Sequence, residues 1–376
     1  MTPVAAVRDY LARFQLPADP ASVGTALRAS GELVTDARVR SVLEDLRAES
    51  EGAGILDPLL ALPNVTDVVV NGPDRVYLDR GKGLELTQTR FTDEAAVRRL
   101  ATRLAAMVGR RLDDGSPFVD ARLGSGVRVH AILGSLTDCG TCLSLRVPHR
   151  KLLTMGDWVA GGGMCPQAAI ILQRLVAKRR AFLVSGGTGS GKTTLLASLL
   201  SLIEPNERLV VVEDSRELAP SHPHCLRLEG RPANAEGAGA VTLTDLVRQA
   251  LRMRPDRLVV GEVRGAELVD LLMALNTGHE GGCGTIHANS VADIPARLEA
   301  LAALGGLNRE AAHAQVAAAL DALVHIRRIG PRRWVEEIGV LRPMEGICQV
   351  VSAVRFDPDG TCTRGPASGE LERLVA

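Results

Sequence analysis

Residues Gly186 to Thr193 read G-G-T-G-S-G-K-T, set between an apolar run, Ala181 to Val184, and the apolar-periodic start of a helix. Residue type and spacing together specify phosphate chemistry. Glycines at Gly186, Gly187, Gly189 and Gly191 let successive backbone N–H groups turn inward at φ values that side chains bearing a Cβ resist. Those amides, including the ones of Thr188 and Ser190, join the N-terminus of the helix behind them in an anion site. Lys192 is spaced to neutralise β- and γ-phosphates, the Thr193 hydroxyl to ligate a bridging Mg²⁺, and Thr194 to line the same first turn. Only Lys82, Lys151 and Lys178 share the lysine type in this arginine-biased chain, so Lys192 is not background.

Two acids stand where such a loop needs them. In a parallel sheet the ligand sits beyond the carboxyl ends of the strands. Leu209 to Val212 is an apolar run ending in Glu213-Asp214, and Leu258 to Val260 is another ending in Gly261-Glu262. Nucleotide hydrolases commonly hold Mg²⁺ through an aspartate at the second strand tip, and here that position is Gly261. Metal duty therefore falls to Glu262, and Glu213 is left to orient or deprotonate the attacking water. Helix N-capping is the competing role for both acids. His287 closes the next apolar stretch in T-I-H-A-N, where an isolated histidine is ordinarily a packed or capping residue.

The elements that position these residues are legible in outline. Residues 1–51 carry helical periodicity and are expected as a helical extension. From residue 52 the texture changes to β-rich runs, Asp67 to Asn71 and Arg75 to Asp79, around an Asn71-Gly72-Pro73 turn. An amphipathic helix over Asp93 to Val108 and strands at Arg128 to Leu133 and Leu143 to Val147 complete an α/β domain over 52–147. Residues 148–166, with Gly161-Gly162-Gly163, are expected as a hinge-like linker. Strand and helix patterns then alternate over 167–345, which predicts a mostly parallel sheet covered on both faces. A hairpin is expected around Gly330-Pro331-Arg332, and residues 346–376 as a carboxy-terminal tail.

Composition narrows the function classes. With 376 residues, 46% hydrophobic and 23% charged, the chain has material for two globular domains. A formal net charge of zero supplies no bulk basic field for nucleic acid, and 2% aromatics leave little to stack on bases. No signal pattern opens the chain and no apolar run approaches the ~20 residues of a membrane span, so a cytosolic protein is expected. Seven cysteines, an odd number, are expected as reduced thiols. Cys139 and Cys142 form C-G-T-C without the second pair that a zinc site requires. No guanine-reading N-K-x-D motif occurs, so the nucleotide is expected to be ATP.

The motifs G-G-T-G-S-G-K-T-T-L-L (Gly186 to Leu196), E-D-S-R-E-L (Glu213 to Leu218), R-L-E-G-R-P-A-N (Arg227 to Asn234), L-R-M-R-P-D-R-L-V-V-G-E-V-R-G (Leu251 to Gly265) and N-T-G-H-E-G-G-C-G-T-I-H-A-N-S (Asn276 to Ser290) occur in that order. D-P-L-L at Asp57, V-N-G-P-D-R-V-Y at Val70 and V-D-A-R-L at Val119 precede them. Over residues 52 to 340 the chain resembles the type II/IV secretion-system ATPases, closest to the CpaF/TadA motors of tight-adherence (Flp) pili. The resemblance implies an α/β fold with a RecA-like P-loop NTPase domain behind a smaller α/β amino-terminal domain. It implies a homohexamer that hydrolyses ATP with Mg²⁺ at the inner face of the cell membrane, working on inner-membrane platform proteins. By the same match Glu213 and Asp214 fall in an acidic box, Glu262 in the Walker B element, and Thr285 and His287 in a histidine box. Arg227 and Arg231 are similar to arginines that reach a phosphate, and Arg122, Arg128 and Arg146 to those that clamp nucleotide from the amino-terminal domain. C-G-T-C departs from the Gly- and Ser-containing loop of relatives.

A motor ATPase is therefore the leading expectation. A nucleic-acid translocase on the same core and a low-turnover nucleotide-gated adaptor are the alternatives; charge disfavours the first, and intact Lys192, Thr193, Glu213 and Glu262 disfavour the second.

Overall fold

Asp19 accepts the Ser22 N–H at 2.8 Å and Pro20 follows it, a capped start that opens the second of three amino-terminal helices. The computed structural model describes residues 3–148, 152–233, 237–344 and 346–376. The chain divides into two compact units, 1–149 and 150–376. In the first, α1 (Pro3–Phe14), α2 (Pro20–Ala29) and α3 (Asp36–Glu51) enclose their own small core of Val7, Leu11, Val23, Leu27, Val42 and Leu43.

After a single turn, α4 (Asp57–Leu60), come β1 (Asp67–Asn71), β2 (Val76–Asp79), β3 (Leu84–Leu86), α5 (Glu94–Met107), β4 (Phe118–Arg122), β5 (Arg128–Ile132) and β6 (Cys142–Arg146). The strands form one antiparallel sheet ordered β3-β2-β1-β6-β5-β4. Asp93 caps α5 by accepting the Ala96 N–H at 2.7 Å, and the 3.6-residue period then buries Val97, Leu100, Ala101 and Leu104. They pack with Val68, Val70, Val129, Ala131, Leu143 and Leu145 of the sheet. Cys139 and Cys142 are free thiols with sulfurs 3.4 Å apart, at the start of β6.

The second unit comprises α6 (Met155–Ala160), α7 (Pro166–Ala177), β7 (Phe182–Gly186), α8 (Lys192–Leu200), β8 (Leu209–Glu213), β9 (Cys225–Glu229), α9 (Leu243–Leu251), β10 (Arg257–Val263), α10 (Glu267–Asn276), β11 (Cys283–His287), α11 (Ile294–Leu304), α12 (Arg309–Ala319), β12 (Ala322–Ile329), β13 (Arg332–Met344), β14 (Ile347–Phe356), β15 (Cys362–Arg364) and α13 (Ser368–Val375). Sheet order is β15-β14-β13-β12-β7-β11-β10-β8-β9, with β12 through β9 parallel and the first three antiparallel. Strands β7, β8 and most of β10 are buried on both faces, which is why they read as unbroken Val and Leu runs. Alternate residues feed two cores. Val184, Val211 and Val259 meet Leu195 and Leu199 of α8, while Leu183, Val212 and Val260 meet Leu268, Leu271 and Leu298 of α10 and α11.

Two segments differ from their sequence expectations. Residues 149–151 of the expected linker lie outside the described residues, but residues 152–166 are folded into the second unit. Thr154 and Asp157 form a reciprocal cap on α6, and Trp158 is buried with Nε1 donating to Ser198 Oγ at 2.9 Å. A methyl group at Gly163 would fall 2.5 Å from Trp158 Cε3, so this glycine serves close packing rather than a hinge. Residues 346–376 are not a tail: β14 and β15 extend the sheet, and Phe356, Leu371 and Val375 enter its core. β14 pairs along nearly its whole length with the outer edge of β13, a long-range pairing that no local pattern records.

Candidate functional site

β7 ends at Gly186 and α8 begins at Lys192, so the glycine-rich loop connects strand tip to helix N-terminus. Gly189 and Gly191 take φ values of +67° and +99°, a region that favours glycine. Ser190 is buried, and its Oγ has no partner among the described residues. Lys192 Nζ donates to the carbonyls of Gly186 and Gly187, each at 3.0 Å. Burial lowers its pKa to about 8, against the opposing pull of Glu262 and Glu217.

From Lys192 a connected set of polar groups crosses the carboxyl ends of β11, β10 and β8. Lys192 Nζ lies 3.3 Å from His287 Nδ1, and His287 Nε2 lies 2.9 Å from Glu262 Oε1. Burial, and secondly the Lys192 charge, hold the His287 pKa below its ordinary value. Lys192 Nζ is also 3.4 Å from His287 Nε2, so the ammonium stands about equally close to both ring nitrogens, and a proton on Nε2 lets the imidazole donate to the Glu262 carboxylate. The other oxygen of Glu262 lies 3.2 Å from Arg264 Nη2, which pairs with Asp214 at 2.8 Å.

A bulge aims Glu262. The β10·β11 register slips between Val260 and Val263, so two residues of β10 oppose one of β11 and the side-chain direction is reset. Thr285 Oγ1 fixes the slip by donating to the Gly261 carbonyl at 2.6 Å. Gly261 also admits Glu213: a methyl group there would fall 2.5 Å from Glu213 Cγ. Glu213 is 5% exposed, and its Oε1 accepts the N–H groups of Glu217 and Leu218 at 3.0 and 2.9 Å. Its Oε2 is buried without a partner among the described residues. Burial pushes its pKa up to about 7 despite those bonds. A carboxyl that titrates near neutrality and holds one free oxygen is equipped to take a proton from water.

Loop, lysine and unpartnered buried groups fit a nucleotide polyphosphate. Among the described residues no cluster of three or more His, Cys, Asp or Glu side chains could hold a metal alone. A Mg²⁺ ion here would draw most ligands from phosphate oxygens and water, with Thr193 and Glu262 as the protein's share.

The structure thus brings Lys192, Glu213, Glu262 and His287 to one end of the sheet. The arginines are dispersed. Arg227 lies in edge strand β9, because the run from Cys225 to Glu229 pairs in parallel with β8. Its Nη1 donates to the Leu218 carbonyl at 3.2 Å, and its charge opposes the rise in the Glu213 pKa. Arg231 follows β9, bridges Val241 through its backbone, and donates from Nε to the Gly239 carbonyl at 2.8 Å. Asn234, which closes that motif, lies outside the described residues. In the first unit Arg122, Arg128 and Arg146 stand directly opposite one another across β4, β5 and β6. Arg264 was not singled out from sequence, although it directly follows the G-E-V stretch; its role rests on pairing with two acids from different strands.

Residues 49–333 match the family model described as type II/IV secretion system protein. A Mycobacterium tuberculosis protein assigned provisionally to conjugal transfer is 54% identical over 332 residues, 86% of this chain and 94% of that one. The conjugal transfer protein TrbB of Rhizobium radiobacter is 30% identical over 278 residues, 73% of this chain and 83% of its own. Among solved structures, the pilus retraction motor PilT with bound ADP superposes with a TM-score of 0.54 at 20% identity, covering 85% of this chain and 84% of that one. At that identity the likeness concerns fold alone.

Proposed function

The chain belongs to the type II/IV secretion system protein family, and on that premise we propose that it is a motor ATPase whose hydrolysis of ATP drives export or pilus assembly. The observation that carries the reading is the contact path from Lys192 through His287 to Glu262, which joins the phosphate loop to a strand-tip carboxylate. Loop amides and Lys192 bind the phosphates. Glu213 orients the attacking water and takes its proton on Oε2. His287 and Arg264 hold the Glu262 carboxylate in place. Mg²⁺, held by Thr193 and Glu262 when bound, supplies charge neutralisation at the bridging phosphate oxygens.

The remaining parts of the proposal rest on sequence resemblance. The second unit acts as a RecA-like motor domain, and the CpaF/TadA tight-adherence branch is the sub-family. Subunits form a homohexameric ring in the cytoplasm, against inner-membrane platform proteins, because the Gly186–Thr193 stretch itself contains no arginine and cyclic symmetry lets each subunit supply a neighbour's missing part. Arg227 and Arg231 reach a phosphate, and Arg122, Arg128 and Arg146 contact nucleotide from the first unit. Among the described residues no helix is long and apolar enough to cross a membrane, so the membrane work is assigned to those partners. The test is phosphate release from Mg²⁺-ATP by the purified chain beside Lys192→Ala. The reading expects turnover in the first and none in the second; equal rates would overturn it.

A further inference from the structure

Two arginines approach the phosphate loop from the side opposite the acids, Arg328 with its guanidinium and Arg333 with its aliphatic stem. β7 has β11 on one flank and β12 on the other, and Glu213, Glu262 and His287 all belong to the β11 side. On the β12 side, the turn at Gly330 sets Arg328 and Arg333 directly opposite one another in the hairpin ladder. Arg328 Nη1 donates to the Gly189 carbonyl at 3.4 Å, and a methyl group at Gly189 would fall 2.5 Å from that nitrogen. The Arg333 side chain passes the other positive-φ glycine, its Cδ 3.9 Å from where a Gly191 Cβ would stand.

Nothing within the described chain neutralises this pair. Arg327 next door bonds to Glu336 at 2.7 Å, whereas Arg328 and Arg333 make no ion pair among the described residues. Like charges directly opposite in a ladder are destabilising. Burial and the Arg328 charge both disfavour the charged form of Arg333. A phosphate between them relieves the repulsion, and the planar guanidinium fork matches phosphate oxygens.

We propose that Arg328 and Arg333 bind the non-transferred phosphates of the nucleotide, in the same subunit as the loop they overlie. The proposal rests on the nucleotide-hydrolysing reading above and adds to it the residues that grip the diphosphate end. The transferred phosphoryl group belongs beside Glu213 and Glu262 on the other flank. The arginine pair therefore holds ADP and ATP alike, a uniform binding contribution that appears in KM rather than in kcat.

The experiment measures the affinity of the full chain for a fluorescent N-methylanthraniloyl ADP, together with kcat and KM for ATP. Wild type is compared with Arg328→Gln, Arg333→Gln and the double variant. Glutamine retains a donor for the Gly189 carbonyl and removes the charge. Each single variant is expected to weaken ADP binding and raise the ATP KM by about tenfold, since a charge-assisted hydrogen bond is lost. Unchanged ADP affinity in the double variant would reduce the pair to a brace for the loop and overturn the proposal. A fall in kcat with ADP affinity intact would place the pair on the transferred phosphoryl group and also overturn it. Wild type that neither binds the analogue nor releases phosphate would refute the nucleotide reading itself and this proposal with it.

Discussion

His287 Nε2 lies 2.9 Å from Glu262 Oε1 while its Nδ1 faces the Lys192 ammonium at 3.3 Å. The imidazole is thus a fixed spacer between the group that neutralises phosphate and the carboxylate assigned to the metal. Partners that orient a ligating carboxylate typically contribute about 10–100-fold to activity. His287→Ala is expected to lower kcat within that range and to retain ADP binding. Wild-type kcat in the variant would leave His287 as a packing residue.

The pH profile follows from two shifted groups. Glu213 must be deprotonated to accept a proton, and its pKa is raised to about 7 by burial. Lys192 must be protonated, and its pKa is lowered to about 8, again by burial. The kcat/KM profile of the wild type should rise through about 7 and fall through about 8. Glu213→Gln should lower kcat by ~10²–10⁴ and erase the acid limb. The same raised pKa favours folding of the neutral carboxyl, so the Glu213 contribution to stability is full below about 4.5 and lost as pH rises through about 7. An acid limb that persists in Glu213→Gln would assign the base elsewhere.

What sequence revealed here was local. β7, β8 and the start of β10 are contiguous apolar runs closed by glycines or acids, and β8 occupies the expected Leu209 to Glu213. Glu213 and Glu262 were legible because strand tips in a parallel sheet share one edge. Arg264, Arg328 and Arg333 were not, because their meaning comes from register: only the β12·β13 pairing sets Arg328 against Arg333, and only Asp214 and Glu262 together give Arg264 its position. The strand that carries Arg227 is likewise faint in the sequence. It is short, lies at the sheet edge and has no fully buried residue, so the apolar signal is weak.

At the other end of β10, Arg257 tests the frame rather than the chemistry. It is 2% exposed, donates to both oxygens of Glu207 at 2.7 and 3.1 Å, and reaches the Val176 carbonyl at 3.0 Å. Arg257→Ala leaves the buried Glu207 carboxylate with only the more exposed Arg179, 3.1 Å from its Oε2, and is expected to cost about 3 kcal/mol in urea unfolding. A cost below about 1 kcal/mol, the range of exposed pairs, would contradict the buried geometry.

Arg231 lies beyond the edge strand, with its guanidinium on the Gly239 carbonyl rather than on the Lys192 network. In the proposed ring it acts in its own subunit or across the interface, and action across the interface has a direct test. Mixing Arg231→Ala with Lys192→Ala subunits, each inactive alone, should restore part of the activity, because some interfaces then pair an intact Lys192 with an intact Arg231. No recovery in rings verified by light scattering would assign Arg231 to its own subunit or to no catalytic role.

In the proposed mechanism Glu262, aimed by the β10 bulge and held by His287 and Arg264, serves hydrolysis rather than the fold. The most direct measurement is ADP affinity and phosphate release for Glu262→Gln beside wild type, at matched thermal stability. Glu262→Gln is expected to bind nucleotide and fold as wild type does while phosphate release falls by at least ~10²-fold, the loss that follows when transition-state stabilisation is removed. Near wild-type phosphate release from that variant would contradict that role.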